Sequence, residues 1–381
     1  MAATITYFPV DNGDMTLIEL ESGRKILIDI NIRQAADDED DDTPDVAGML
    51  RERLKKDDKG RYFVDAFLLS HPDEDHCRGL ARHFHLGKPD DHPGDDKILI
   101  REMWSSPMVF RRASNKHPLC EDAKAWKKEA KRRVKVLRDK EVLGDGNRIL
   151  ILGEDEDGKT DDLTTILIKV DQEIARINDS AEFSMSARLL APLPKSEDKD
   201  EEDVLTKNNS SVVLRFKIRA DGISDACRYL TGGDAEVAIW ERLWAKHKNQ
   251  VSWIDYHLMQ TPHHCSWHSL SHDSWSKMGE DAKVSDDARS ALSQTRDGAY
   301  LVASSKEIKD DKDDPPCIRG KREYEAIAKD AKGKFIWVGE KSPDPLEFEI
   351  TADGPRPKTK LTKAAAVVGG GSIGSTPLPH G

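Results

Sequence analysis

Apolar positions in this chain fall into short runs separated by polar turns, which predicts a mixed α/β fold. Residues 4–10, 15–20 and 25–29 read as three strands joined by turns at Asp11-Asn12-Gly13-Asp14 and at Gly23. A helix is expected over 46–56, and an apolar strand over 62–69 runs straight into Ser70-His71-Pro72-Asp73-Glu74-Asp75-His76. A helix is expected to begin within 77–86, a strand to cover 98–104, and helices to cover 123–140 and 162–177. Two strands around a turn at Asp221-Gly222 follow, the first over 208–216 and the second ending in Thr231-Gly232-Gly233-Asp234. A helix over 235–243 leads to a strand that ends at Thr261-Pro262-His263-His264-Cys265-Ser266. The remaining expected elements are a strand at 300–304, a helix at 322–331 and a strand at 334–339. Beyond residue 351 the composition turns to Gly, Ser, Pro and Lys, so 351–381 is expected to be a disordered tail behind a domain of 1–350.

Composition narrows the class. The 381 residues carry a net charge of −12, and 34% are charged, so the chain is not a typical nonspecific nucleic-acid binder. Acidic runs at 37–42, 197–203 and 310–314 read as solvated loops. The predicted helix at 123–140 is locally basic, with Arg132 and Arg133 among its cations and Trp126, Ala130, Val134 and Leu137 as an apolar stripe. It is either a surface helix packed by that stripe or a basic wall that guides a polyanion. No apolar stretch approaches the length of a membrane span, and no leader is evident. Five scattered cysteines (77, 120, 227, 265 and 317) fit reduced thiols and a cytoplasmic location. Cys77, beside His76, is placed either near a metal or as a small buried residue.

The chemistry concentrates where apolar strands end. His71, Asp73, Asp75 and His76 follow a strand within one short loop, and imidazoles mixed with carboxylates suit Zn, Mn or Fe. Asp234 follows two glycines that let backbone approach an ion closely, although taken alone it also reads as the N-cap of the following helix. The adjacent His263 and His264 end another strand.

The Ser-His-x-Asp-x-Asp-His run, the opening Gly-Asp turn and Ile-Asp strand end, the Gly-Gly-Asp segment and the His-His segment occur in the order of the metallo-β-lactamase fold, which the chain resembles over roughly residues 4–305. The nearest pattern is that of the β-lactamase-like domain of the bacterial DNA-uptake protein ComEC and its stand-alone soluble relatives. In that pattern Asp73 stands where classical members have a second His. Asp11-Asn12 and Cys265 depart from the usual Gly-Gln and Gly. The Cys265 departure alters the turn or adds a soft ligand.

The resemblance implies an αββα sandwich with a large insertion at about 87–200 and two divalent ions, Zn or Mn. It assigns His71, Asp73 and Asp234 to one ion, and Asp75, His76, Asp234 and one of His263 and His264 to the other. The order of that pair is open; with His263 as ligand, His264 and Asp75 become the acid–base groups. Asn209, Ser266, Ser269, Arg132 and Arg133 are the expected substrate-binding residues. The implied activity is hydrolysis of a phosphodiester, nucleic acid or nucleotide, by a metal-activated water. Hydrolysis of lactams, lactones or thioesters, or a noncatalytic binding role, are the alternatives. A protein partner through the insertion or the tail fits the same reading, and a membrane partner does not.

Overall fold

The computed structural model describes residues 2–358 apart from 39, 95, 108–118, 142, 155–157, 159 and 195–209. Two large sheets organise it. In the first, β1 (Ala3–Tyr7), β2 (Thr16–Glu19) and β3 (Lys25–Ile28) form an antiparallel meander. Helix α1 (Val46–Arg53) then leads to β4 (Tyr62–Leu69), which pairs with β3 in parallel. Two single helical turns, α2 (Glu74–Cys77) and α3 (Leu80–His83), follow β4. β5 (Ile98–Ser105), helix α4 (Glu121–Arg138), β6 (Arg148–Leu152) and β7 (Leu167–Ile168) extend the parallel part.

The second sheet takes β8 (Glu173–Ile174), β9 (Met185–Ala191), β10 (Val213–Ala220), β11 (Ile223–Leu230), β12 (Tyr256–Gln260), β13 (Thr295–Ala303) and β14 (Lys334–Trp337) in that spatial order. Strands β11 to β14 are parallel neighbours. Helices α5 (Val237–His247), α6 (Trp275–Met278), α7 (Asp286–Leu292) and α8 (Ile318–Asp330) lie along this half. The chain returns through β15 (Leu346–Thr351) and β16 (Gly354–Pro357) to the edge of the first sheet, beside β1.

Residue alternation fixes the layers. Ile18, Ile26 and Leu68 point to one face, where they meet Leu189, Leu214, Phe216, Tyr229 and Leu258 of the second sheet. Their neighbours Leu17, Leu27 and Phe67 point the other way, onto Leu50, Trp126, Ala130 and Val134 of α1 and α4. On the far side of the second sheet, Leu230, Met259 and Leu301 pack on Trp240, Leu243, Tyr324 and Ile327. The layers are therefore helix, sheet, sheet, helix, and strands buried on both faces read as unbroken apolar runs. Helix α4 is capped by Cys120, whose sulfur accepts from the Ala123 N–H. Its stripe ends on Trp126, whose ring lies 5.1 Å from that of Phe67.

The structure departs from the expected elements in several places. The helix expected over 162–177 is turns followed by β7, β8 and the short strand Arg176–Ile177; Thr164, Thr165, Ile166, Ile168 and Val170 are β-branched, and Leu167 pairs with Ile151. The helix expected to begin within 77–86 is the single turn α3, which Gly79 at φ 90° separates from α2, and Phe84–His85 then pairs with β5. Within 87–200, expected as an insertion, β5 to β9 take places in the two sheets. Residues 354–357, expected in the tail, form β16, which pairs with β15; residues 359–381 lie outside the described residues, as does the acidic run 197–203.

Candidate metal centre

The candidate residues come from loops at the carboxyl ends of parallel strands, the usual place for sites in such sheets. The loop after β4 carries His71 to His76, the loop after β11 carries Asp234, and the loop after β12 carries His263 and His264. The turn before β2 adds Asp14, and the end of β3 adds Asp29. Backbone bonds lock these loops together: Asp14 N–H to Asp75 O at 3.1 Å, Val212 N–H to Ser70 O at 2.9 Å, and His263 N–H to Gly233 O at 2.8 Å. Gly13, at φ 151°, is required here. A Cβ on it would lie 2.2 Å from Asn31 Nδ2 and 2.8 Å from Asp75 O. His263, His264 and Cys265 hold φ of 50°, 52° and 71°. Three successive non-glycine residues in the left-handed region cost about 1–2 kcal/mol each, strain of the kind that concentrates at functional sites.

Asp234 sits between two groups of side chains. Its Oδ1 is 3.0 Å from His76 Nε2 and 3.6 Å from His264 Nε2. Its Oδ2 is 3.2 Å from His71 Nε2 and 3.6 Å from His263 Nε2. On the Oδ1 side, His264 also lies 3.3 Å from Asp14 and 3.2 Å from Asp75. On the Oδ2 side, His71 Nε2 lies 3.7 Å from Asp73. Asp14, His76, Asp234 and His264 are all buried, and each offers one ligand atom within 4.8 Å of the others.

These atoms approach as ion pairs without hydrogen-bond geometry. Asp14 Oδ1, His71 Nε2, His76 Nε2, Asp234 Oδ1 and both ring nitrogens of His264 are buried with no hydrogen-bond partner. Buried polar atoms left unpaired are costly and uncommon, and a convergent set is what a bound cation satisfies. A second set of contacts orients the ligands. His76 Nδ1 donates to Asp29 Oδ2 at 2.9 Å, and the same carboxylate accepts from Ser70 N–H at 2.6 Å and Ser70 Oγ at 2.5 Å. This fixes the tautomer that turns Nε2 of His76 toward Asp234.

The titration of the cluster follows its crowding. Burial would raise Asp234, but His76 and His71 hold it well below the usual carboxylate range. Burial and His76 act to lower His71, yet Asp234 and Asp73 bring it up to about 9. Burial likewise opposes the charge on His264, and Asp14, Asp234 and Asp75 lift it to about 10. His76 is raised well above the ordinary imidazole value by Asp234 and Asp29 against its burial. Burial dominates at His263 and lowers it. Without a cation, protons on the imidazoles balance the carboxylates.

Of the residues singled out in the sequence, His71, Asp73, Asp75, His76, Asp234, His263 and His264 meet in one place. His264 is inside the buried four, whereas the side chain of His263 is 15% exposed on the Oδ2 side. Asp234 is not the helix cap, since α5 starts at Val237 with Glu236 before it. Asp14 and Asp29 were missed as individual residues, although the turn and the strand end that carry them stood out as segments; nothing local marks a lone Asp as a ligand.

Other candidates serve the fold. Ser266 Oγ donates to Asp314 Oδ1 at 2.6 Å and Ser269 Oγ to Pro262 O at 3.4 Å, so both buried hydroxyls brace the histidine loop. Arg133 is 1% exposed and bonds Glu129 and the carbonyls of Arg148 and Ile100. Arg132 bonds Glu129, Asn147 and Gly146 O. The Arg133 guanidinium is enclosed, and the partly exposed Arg132 guanidinium is held by its three partners. Cys265 is buried in the helix-side core and outside the ligand cluster. Asn209 lies outside the described residues.

The molecule is thus a layered α/β protein with a buried Asp/His cluster able to hold a metal. No protein-family model matches the chain, and no curated protein sequence matches it at a significant level. No helix among the described residues is long and apolar enough to cross a membrane.

Proposed function

We propose that this chain is a metal-dependent hydrolase of the metallo-β-lactamase type, acting on phosphodiesters. The observation that carries the reading is the division of Asp234, with one carboxylate oxygen toward His76 and His264 and the other toward His71 and His263. Asp14, His76, Asp234 and His264 would hold one divalent ion, with Asp75 beside them. His71, Asp73 and Asp234, with His263 adjacent, would hold the second. Mixed carboxylate and imidazole donors suit Zn or Mn. Two divalent ions there would lower the pKa of a water and offset charge developing on the attacked phosphorus.

The chain's own groups do the rest. Asp29 and Ser70 keep His76 aimed at the cluster. Asp73 and Asp75 have partly exposed side chains and form the polar mouth through which a diester would enter. His263 is the partly exposed ring, placed to pass a proton to the leaving oxygen while His264 remains a buried ligand. The phosphodiester class itself rests on the sequence resemblance.

Hydrolysis of bis-p-nitrophenyl phosphate, with Mn or Zn restored after chelation, tests this beside Asp75→Ala. The expected result is metal-dependent turnover that the variant loses. Turnover of a lactone or thioester but not of the diester would move the reaction to carbonyl centres, and no turnover of any of these with metal bound would remove the catalytic reading.

A further inference from the structure

Cys77 is the last residue of α2, directly after His76, and Cys120 caps α4. Their sulfurs are 3.5 Å apart although 43 residues separate them in the chain. Cys77 is buried and its thiol donates to the carbonyl of Asp73 at 3.1 Å. Cys120 is only partly buried, and its sulfur accepts from Ala123 N–H at the start of an 18-residue helix. The two are held together by fixed elements. The Asp122 carboxylate accepts from Gly79 N–H and Ala81 N–H, both at 2.8 Å, which pins the first turn of α4 to the segment after α2.

We propose that Cys77 and Cys120 are an oxidisable dithiol, converted by a peroxide to a disulfide that ties the metal-binding loop to α4. Cys120 is the attacking sulfur, because it is the one solvent reaches and the helix N-terminus stabilises its thiolate. The contact with Cys77 and then the Ala123 N–H bring Cys120 down to about 7, against its burial. The thiolate attacks one peroxide oxygen, the O–O bond breaks, and the other oxygen leaves and takes up a proton to become water. The Cys120 sulfenic acid then meets the Cys77 sulfur; the S–S bond forms, and the sulfenic oxygen leaves as a second water with the Cys77 proton. Two thiols give two electrons, and one peroxide takes them.

Bond formation draws the sulfurs from 3.5 Å to about 2.05 Å. It also removes the thiol donor from Asp73 O, so the loop bearing Asp73, Asp75 and His76 shifts. The expected consequence, resting on the metal reading above, is weaker metal binding in the oxidised protein, reversed by dithiothreitol.

The experiment is peroxide titration of the full chain, followed by non-reducing peptide mapping and measurement of Mn affinity. A Cys77–Cys120 linked peptide should form first, with loss of two hydrogens, and Mn affinity should fall about tenfold, in line with disturbed ligand positioning. Cys120→Ser should form no such link, and Cys77→Ser should leave a sulfenic acid on Cys120 that dimedone traps. Linkage of another cysteine pair first, or none at peroxide levels that oxidise an unstructured thiol peptide, would overturn the dithiol. A clean link with unchanged Mn affinity would overturn its coupling to the site. The link forms or fails whether or not the protein hydrolyses diesters, so the two readings fail separately.

Discussion

Asp29 accepts a hydrogen bond from His76 Nδ1 at 2.9 Å, and on the opposite edge of the same ring Nε2 lies 3.0 Å from Asp234. A carboxylate behind an imidazole ligand fixes its tautomer and raises its basicity. Asp29→Asn should therefore weaken metal binding by roughly 10–100-fold while leaving the ligand set complete. Isothermal titration with Mn or Zn measures this, and an unchanged affinity would remove Asp29 from the site.

The cluster's protons make metal binding depend on pH. In the metal-free fold His71 and His264 titrate near 9 and 10, whereas an unfolded chain releases those protons near about 6.5. The native state binds more protons across that window, so this contribution to metal-free stability is full below about pH 6.5 and declines as pH rises through 9 to 10. A divalent ion must displace the same protons. Affinity should rise from pH 6 to 9 as metal-free stability falls, with protons released on binding. Titration in buffers of different ionisation enthalpy counts them, and an affinity flat over this range would contradict the proton inventory.

Arg133 is buried and bonded within the fold, and Lys128 and Lys131 are among the exposed cations of α4. Arg133→Met leaves the carbonyls of Arg148 and Ile100 without their donor and Glu129 with Arg132 alone, which should cost about 1–3 kcal/mol of stability. Denaturant unfolding reads this directly. Charge reversal at Lys128 and Lys131 should leave stability unchanged and, if α4 borders the path of a polynucleotide, reduce its cleavage severalfold while sparing the small diester. Equal loss on both substrates would take the helix out of that role.

How far the sequence carries the account depends on how local each signal is. Strands such as β4 and the stripe of Trp126, Ala130 and Val134 are written in consecutive or periodic residues, and these elements appear where expected. The site loops were legible because four candidate ligands cluster within His71 to His76 and two histidines are adjacent. Asp14 and Asp29 carry no such signal, since their role exists only once β2 and β3 fold beside the loop after β4. The placement of His263 and His264 depends on left-handed backbone that no residue type at these positions announces. The charge of the two α4 arginines is visible in sequence, while their partners are set by packing: Glu129, Asn147 and Gly146 O for Arg132, and Glu129 and the carbonyls of Arg148 and Ile100 for Arg133. The failed helix at 162–177 is a case of strand pairing prevailing over a helix assignment.

The central claim is that Asp234 joins two metal positions, and metal stoichiometry tests it most directly. Equilibrium dialysis against Mn or Zn, with elemental analysis of wild type, Asp14→Asn and Asp234→Asn, would be read beside circular dichroism to show that each variant folds. The account predicts about two ions per wild-type chain, about one in Asp14→Asn and substantial loss from both positions in Asp234→Asn. A wild-type chain that retains no ion, or a folded Asp234→Asn variant that retains the wild-type complement, would contradict it.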